Sequence, residues 1–262
     1  MQVQRIQNNN YNSSFGIRST YVPNPDYLRL KSRCKNLLAS CYFRRGQWYD
    51  FANKDLFKQV VDIFQKVFEE TKRPKGMLIV GVADSQEPFS YLAVINEIAK
   101  KQNKRLEDII DLHTVDLQRK PWDIKIRKDS FFDAGCKPPF AESSFYYDRD
   151  WHGKSIMYHW RVKKHICDYL ENTYNNPQKS KWDTRIQDVA NSYNNESLDI
   201  ISINNVLGYI DTAEAEILTL KQLIDKLKKG GFLITDPLNK DVLYRNGISN
   251  IEEIGFGIYQ KK

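Results

Sequence analysis

The sequence predicts an α/β fold in which helices cover both faces of a mostly parallel sheet. Short apolar runs of the kind that is buried on both faces of a parallel sheet recur along the chain. Segments with helical apolar spacing separate these runs, and such alternation is typical of parallel α/β sheets. With 262 residues, 41% hydrophobic and 13% aromatic, the chain can bury a sizeable core.

The first half of the chain predicts one strand–helix–strand unit preceded by a helix. NKDLFKQVVDIFQKVFEET (53–71) has apolar residues at helical spacing, with Asn53 or Asp55 as its cap. A buried strand follows over Met77 to Val82. Pro88 then opens a helix, where its missing N–H needs no partner. A second strand, DLHTVDL, ends near Asp116 and completes the unit.

The second half of the chain continues this alternation. We predict a helix from about Val162 to Tyr174, a short strand in TRIQDVANSY (184–193) and an apolar strand at LDIISI (198–203). Asp211 or Thr212 would cap the next helix, with Glu214 completing a capping box with Asp211. KKGG (228–231) would end that helix. Two further strands are predicted in GFLITDP (231–237) and EEIGFGIYQKK (252–262).

These patterns divide the chain into three parts. Residues 1–26, which are rich in Asn, Ser and Gln, are predicted to be a disordered or loosely docked lead-in. Residues 27–74 are predicted to form a small N-terminal helical segment. Residues 75–262 form the α/β domain, with an insertion at about 119–183.

Composition restricts the class of protein only weakly. Forty Lys and Arg against 33 Asp and Glu give a net charge of +7, which favours an anionic partner but is also common in ordinary enzymes. The four cysteines form no CxxC pair, which fits a reducing cytoplasm. The sequence has no apolar run of 18 residues, so no membrane span is expected.

The loop between the first strand and its helix indicates the kind of ligand. In GMLIVGVADSQEPFS (76–90), the loop carries Asp84 and Glu87 and no run of glycines. A dinucleotide pyrophosphate requires glycines and is repelled by carboxylates. S-adenosylmethionine fits better, because it carries an ammonium, a sulfonium and ribose hydroxyls but no phosphate.

Several segments resemble the CheR-type chemotaxis-receptor methyltransferases, a class I S-adenosylmethionine-dependent family. SQEPFSYLAVINEIA is similar to the family's loop and helix, and DIISINNVLGYID followed by LKKGGFLITDP is similar to a later block. GQWYDFANKDLFKQVVDIF and YHWRVKKHI are weaker matches. The resemblance spans about residues 46–237 and implies a Rossmann-like, seven-stranded, mostly parallel sheet flanked by helices.

The resemblance also implies roles for particular residues. The cofactor would contact the loop and the ends of the strands, through Gly81, Ala83, Asp84, Glu87, Asp116, Asp188, Val189, Asn204 and Asn205. Within that set, Glu87, Asn204 and Asn205 would lie near the methionine part and Asp116 near the ribose hydroxyls. Asp188 and Val189 would lie near the adenine. Tyr209, together with Asn205, would line the site of methyl transfer.

The same residues have structural alternatives. Asp116 could simply end a strand, Glu87 could favour the helix dipole, the pair Asn204 and Asn205 could form a turn, and Tyr209 could belong to the core. The chain also departs from the family pattern: Ser85 replaces a loop glycine, WYDFANKD replaces an arginine-bearing aromatic stretch, and Asn204 replaces an arginine.

The acceptor of the methyl group is left open by the sequence, as is the oligomeric state. We favour a protein acceptor over nucleic acid, with a protein carboxylate as the candidate group. The alternatives are a non-catalytic module of the same fold that binds a cofactor or partner, and an RNA methyltransferase that uses the basic aromatic stretch 146–164. For that stretch, we favour the interpretation as a substrate-side subdomain or an insertion with ordinary surface charge.

Other chemistries find little support in the sequence. The spacing of His152, His159, His165 and Cys167 matches neither a zinc finger nor an HExxH site, so no metal is expected. GxSxG, Walker and GxGxxG motifs are absent from the sequence, which argues against serine hydrolases of the α/β type, P-loop NTPases and standard nicotinamide enzymes.

Overall fold

The computed structural model describes most of the chain from residue 54 onward. The described ranges are 54–69, 71–82, 85–116, 132–133, 141–152, 155–204, 206–207, 210, 212–235, 238, 240–255 and 257–262. The predicted lead-in and residues 27–53 of the predicted N-terminal helical segment lie outside them. The division of the chain into three parts therefore stays a prediction.

Eight helices and ten strands occur in the described residues. The helices are α1 (Lys54–Phe68), α2 (Gln86–Lys101), α3 (Leu106–Ile109), α4 (Ala141–Ser144), α5 (Lys164–Asn175), α6 (Ile186–Ala190), α7 (Ala213–Lys226) and α8 (Lys240–Arg245). The strands are β1 (Lys75–Val80), β2 (Ile110–Val115), β3 (Phe132–Asp133), β4 (Phe145–His152), β5 (Ser155–Val162), β6 (Ser180–Lys181), β7 (Leu198–Ile203), β8 (Leu227–Thr235), β9 (Ile251–Gly255) and β10 (Ile258–Lys261).

The main sheet has seven strands in the order β6-β2-β1-β7-β8-β10-β9. The first five run parallel to one another. β10 is antiparallel to both of its neighbours, β8 and β9. The prediction of a Rossmann-like, seven-stranded, mostly parallel sheet is confirmed, and the first two core strands pair side by side as the strand–helix–strand interpretation requires.

Successive apolar side chains of β1 point to opposite faces of the sheet, which explains why helices cover both faces. Met77 and Ile79 pack into one hydrophobic cluster with residues of α1, α2 and α5. Leu78 and Val80 pack into a second cluster with residues of α6, α7 and α8. All four side chains are fully buried, so β1 is the centre of a three-layer structure.

Three of the predicted elements are corrected by the structure. TRIQDVANSY contains the helix α6, because Ile186, Val189 and Ala190 share one buried face at helical spacing. KKGG lies inside β8, and α7 ends before it, at Lys226. The final predicted strand is a hairpin of β9 and β10.

The cap of α7 is also more specific than predicted. Thr212 is the N-cap, and its side-chain oxygen accepts a hydrogen bond from the Ala215 N–H at 3.1 Å. Glu214 is therefore the second helical residue, one position short of the place that a capping box requires. The predicted capping box of Asp211 and Glu214 is wrong; Asp211 itself lies outside the described residues.

A small antiparallel sheet, β3-β5-β4, stands between β2 and α5. The short helix α4, which directly precedes β4, is bound by Asn96 of α2, whose Nδ2 donates to the Ser143 carbonyl at 3.1 Å and to Ser144 Oγ at 3.0 Å. His165 of α5 lies 2.9 Å from Asn96 Oδ1. Thus α4 and the start of α5, which flank this sheet along the chain, lie beside α2. The role of the sheet as a substrate-side subdomain stays a prediction.

Candidate functional site

The candidate site lies where the order of the strands reverses. The chain passes from β1 to β2 and β6 on one side, then returns to β7 on the other side of β1. In open parallel sheets, ligands bind outside the carboxyl ends of the strands at such a switch point. The loop after β1, the first turn of α2 and the residue after β7 all meet at this edge.

Glu87 is the central carboxylate of this edge. It lies in the first turn of α2 and is 7% exposed. Its Oε1 accepts hydrogen bonds from Ser202 Oγ and from Asn204 Nδ2, the latter at 2.9 Å. The structure therefore joins two predicted site residues, Glu87 and Asn204, that are 117 positions apart.

Asn204 is held in one orientation by its neighbours. Besides Glu87, its Nδ2 lies 2.8 Å from Ser202 Oγ and 3.3 Å from Tyr91 Oη. Because a carboxylate accepts hydrogen bonds and cannot donate them, the nitrogen of the amide must face Glu87. The Asn204 Oδ1 is then directed elsewhere, and it is buried with no hydrogen-bond donor among the described residues.

A buried acceptor of this kind has a free-energy cost when it stays unpaired. Asn204 itself is 4% exposed, and most buried amide oxygens in proteins receive a hydrogen bond. The Oδ1 of Asn204 is therefore suited to a ligand that brings an N–H or O–H donor to the switch point. A protonated amine meets this requirement and is also attracted by the carboxylate of Glu87.

The loop after β1 is tightly turned at both ends. Gly81 has a φ of 80°, which glycine adopts without steric cost, and its N–H donates to the Val115 carbonyl at 2.8 Å. The loop closes at Ser85, whose φ is 66°. The predicted contact residues Ala83 and Asp84 lie between these turns and outside the described residues.

Asp116 stands at the end of β2, on the same edge. It is 3% exposed, and its N–H donates to the Lys181 carbonyl at 3.0 Å. Its carbonyl accepts from the Thr184 N–H at 3.3 Å. These bonds fix the backbone of Asp116 between the ends of β2 and β6.

The remaining predicted residues differ in their surroundings. Asp188 is exposed on α6, whereas Val189 is buried and packs in the same hydrophobic cluster as Val80 and Val115. Asn205 and Tyr209 lie outside the described residues. The structure thus brings Glu87 and Asn204 into contact and places Gly81 and Asp116 at adjoining strand ends.

Two residues of the site are missing from the sequence prediction. Ser202 places a hydroxyl among Ile200, Ile201 and Ile203 of β7, and this polar residue near the end of a strand was the available signal. Tyr91 follows Glu87 by four positions and so lies on the same face of α2. Tyr91 Oη and Ser202 Oγ are 3.1 Å apart, so both belong to the buried hydrogen-bonded group around Glu87.

Neither a metal centre nor a membrane span is found in the described part of the chain. There, no group of three His, Cys, Asp or Glu residues is arranged to hold a metal ion. Within the same ranges, no helix has the length and apolar character needed to cross a bilayer.

Comparison with known proteins gives only distant structural similarities. No family model matches the chain, and no curated protein matches it. Among solved structures, it is similar to the N-methyltransferase NodS from Bradyrhizobium japonicum WM9 in complex with S-adenosyl-L-homocysteine. That similarity has 10% identity, a TM-score of 0.35 and coverage of 78% of this chain and 86% of that chain.

Two other solved structures have similar scores. The cyclase SpnF has 11% identity and a TM-score of 0.34, with coverage of 82% of this chain and 61% of that chain. The plantazolicin methyltransferase BpumL, in complex with a pentazolic desmethylPZN analog and SAH, has 16% identity and a TM-score of 0.29, with coverage of 84% and 64%. Similarities at this level do not transfer an activity, and the function must be argued from the residues of this chain.

Proposed function

We propose that the chain is an S-adenosylmethionine-dependent methyltransferase that binds its cofactor at the carboxyl edge of the main sheet. The observation that carries this proposal is the contact of Glu87 with Asn204 at the switch point. It combines a buried carboxylate with a buried amide oxygen that has no donor in the described part of the chain. An α-ammonium group would supply both the positive charge and the donor.

The charge of the edge supports this choice over a dinucleotide. Glu87 and Asp116 are both buried acids at strand or helix ends on this edge. A pyrophosphate beside them would be repelled, whereas ribose hydroxyls donate readily to a carboxylate. Asp116 at the end of β2 is therefore assigned to the ribose.

The other assignments follow the order of the strands. We assign the binding of the methionine part to Glu87 and Asn204. The backbone of Gly81, Ala83 and Asp84, in the loop after β1, would contact the cofactor beside it. Asp188 and Val189 on α6 are assigned to the adenine side. Asn205 and Tyr209 are assigned to the acceptor side of the cofactor.

The residues of this chain would act mainly by position. When bound, S-adenosylmethionine supplies an electrophilic methyl group on a sulfonium. The Glu87 carboxylate and Asn204 Oδ1 would fix the amino-acid end, and Asp116 would fix the ribose. Tyr209 and Asn205 would exclude water and orient the acceptor, which is the main requirement of an in-line displacement.

Calorimetry with two ligands tests the assignment of Glu87 and Asn204. S-adenosylhomocysteine carries the ammonium, whereas methylthioadenosine shares its nucleoside but lacks the amino-acid end. We expect Glu87→Gln to weaken the binding of S-adenosylhomocysteine about tenfold and the binding of methylthioadenosine less than twofold. Glu107→Gln, which removes an exposed carboxylate on α3, is the matched control and should change neither affinity.

Two results would contradict the assignment. An absence of binding heat when S-adenosylhomocysteine is added to the wild-type protein would contradict the proposed cofactor site. Equal losses of affinity for both ligands in Glu87→Gln would show that Glu87 does not bind the ammonium group.

Methyl transfer to an acceptor requires its own experiment. Cell extract is incubated with the protein and tritiated S-adenosylmethionine, and portions are then treated with protease or nuclease. We propose a protein acceptor, so label should be lost with protease and kept with nuclease. The reverse result would indicate an RNA methyltransferase, and binding without any transfer would indicate a non-catalytic module. Tyr209→Phe should slow transfer without changing the affinity for S-adenosylhomocysteine.

A further inference from the structure

Ser85 adopts a conformation that is unfavourable for a serine. It is the N-cap of α2, with φ 66° and ψ 10°, in the left-handed region that costs free energy for any residue with a Cβ. A serine at an N-cap normally takes extended dihedrals, and its hydroxyl accepts from an N–H of the first turn. The Ser85 side chain makes no such capping bond.

The hydroxyl of Ser85 is instead bound by Tyr174, in the last turn of α5. The Tyr174 hydroxyl donates to Ser85 Oγ at 2.8 Å, and the two residues are 2% and 0% exposed. α5 runs antiparallel to α2, because its start contacts Asn96 and its end contacts Ser85. The end of α5 is thereby placed beside the loop after β1.

The ring of Tyr174 is itself held firmly. It packs edge-on against Trp182, with ring centroids 4.9 Å apart and an interplanar angle of 87°. Trp182 Nε1 also donates to the Tyr174 carbonyl at 3.2 Å. Since both the ring and the backbone are fixed, the Tyr174 hydroxyl can impose a position on Ser85.

The backbone of Ser85 sets the direction of α2. Its N–H donates to the Val82 carbonyl at 2.9 Å, and its carbonyl accepts the first helical hydrogen bond, from the Phe89 N–H at 3.1 Å. Glu87 follows two residues later. A change of Ser85 to the ordinary capping conformation would therefore alter both the loop and the place from which Glu87 reaches Ser202 and Asn204.

We propose that Tyr174 is a positioning residue for the ligand site, holding Ser85 in its left-handed conformation and so keeping the loop after β1 and the Glu87 turn ready for a ligand. The ligand itself rests on the function proposed above. Tyr174 touches neither Glu87 nor Asn204 in any hydrogen bond that the structure describes, and it would act through Ser85.

Hydrogen exchange of the ligand-free protein tests the mechanism without any ligand. In Tyr174→Phe, amides of a peptide spanning 81–89 should exchange about fivefold faster, because the loop opens more often. Tyr259→Phe, on β10, is the matched control. It also removes a buried tyrosine hydroxyl, which in the wild type accepts a hydrogen bond from the Leu238 N–H at 2.8 Å. That control should leave exchange at 81–89 unchanged.

A glycine at position 85 should cancel the effect of Tyr174→Phe on exchange. No such cancellation is expected if Tyr174 only stabilises the fold. Glycine adopts positive φ freely, so Ser85→Gly should exchange like the wild type. Tyr174→Phe in the Ser85→Gly background should then add no further acceleration. Equal acceleration by Tyr174→Phe in both backgrounds, or none in either, would overturn the proposal.

Affinity for S-adenosylhomocysteine gives the second readout. We expect a loss of about fivefold in Tyr174→Phe and of less than twofold in the double variant with Ser85→Gly. A wild-type protein that binds no S-adenosylhomocysteine would contradict the proposed function and leave the exchange result standing. Should Tyr174→Phe fail to fold, Ser85→Ala removes the same bond from its other side and should accelerate exchange at 81–89; unchanged exchange there would overturn the proposal.

Discussion

The two edges of the main sheet hold their acidic side chains in different ways. At the amino edge, Asp199 of β7 accepts from the Gly76 N–H at 2.9 Å and pairs with Lys228 at 2.6 Å and Lys75 at 3.8 Å. At the carboxyl edge, Glu87 Oε1 accepts from a hydroxyl and an amide. Lysines pair with the carboxylate of Asp199, whereas a hydroxyl and an amide donate to the carboxylate of Glu87.

This difference separates a structural acid from one that can serve a ligand. The lysines of the amino edge join β1, β7 and β8, so the ion pairs stabilise the order of the strands. The donors around Glu87 come from β7 and from the residue that follows it. The first arrangement is complete in itself, and the second still contains a buried acceptor, Asn204 Oδ1, with no donor among the described residues.

The largest effect on stability is expected at the amino edge. Asp199→Ala leaves Lys75 and Lys228 without their shared partner and should lower the free energy of unfolding by about 2 kcal/mol. The loss stays below that of a fully buried pair because both lysines are partly exposed. Urea unfolding measures it, with Asp241→Ala on the surface of α8 as control. Affinity for S-adenosylhomocysteine should be unchanged in Asp199→Ala. A tenfold loss of affinity would contradict a purely structural role for Asp199.

A serine near each end of β7 allows the two edges to be compared with the same substitution. Ser202→Ala at the carboxyl end removes a buried donor to Glu87 and should cost about 1 kcal/mol of stability, together with a severalfold loss of affinity for S-adenosylhomocysteine. Ser197→Ala, just before the amino end, removes an exposed hydrogen bond to the Asn194 carbonyl and should change neither quantity appreciably. Equal affinities of the two variants would argue against a ligand at the carboxyl edge.

The smallest effect concerns Asp111, a second paired acid near the amino edge. Hydrogen bonds from His113 and Lys179 hold the pKa of Asp111 well below its usual range, against the opposing effect of partial burial. Because the folded-state pKa is depressed, this pairing stabilises the fold above the unfolded-state pKa of about 4. The contribution is lost as the pH falls further, through the folded-state value.

Unfolding of Asp111→Asn at two pH values measures this contribution. The variant should be slightly less stable than the wild type at pH 7, and the difference should shrink below about pH 4. Asp111 is 43% exposed, so we expect a small difference at low salt and a smaller one at high salt. A difference that grows on acidification would contradict the depressed pKa.

Local patterns predict the elements of this fold better than their connections. The run LDIISI matches β7 at both ends, and the amphipathic stripe of residues 53–71 contains α1, because burial on one or both faces leaves a periodic trace. The sequence misassigns α6 because five residues are too few to distinguish helical spacing from a short strand. It misplaces KKGG because lysines and glycines that commonly end a helix here lie within β8.

The candidate site could be predicted only in part, for a related reason. Glu87 and Asn204 are identifiable from their places after a strand, but the contact between them depends on the order of β1 and β7 in the sheet. The left-handed conformation of Ser85 depends on Tyr174, which is 89 residues away. No local pattern records such a contact, and the tyrosine looks like one more apolar residue of an amphipathic helix.

The position of β10 has a consequence for how this chain reaches its folded state. Although β10 follows β9 along the sequence, it lies between β8 and β9, and the hydroxyl of Tyr259 within it accepts from the Leu238 N–H. While a ribosome is still making residues 258–261, β9 has no neighbour to pair with and the edge of β8 stays open to other chains. Pairing of β10 therefore closes a strand edge that partly folded chains would otherwise expose to aggregation.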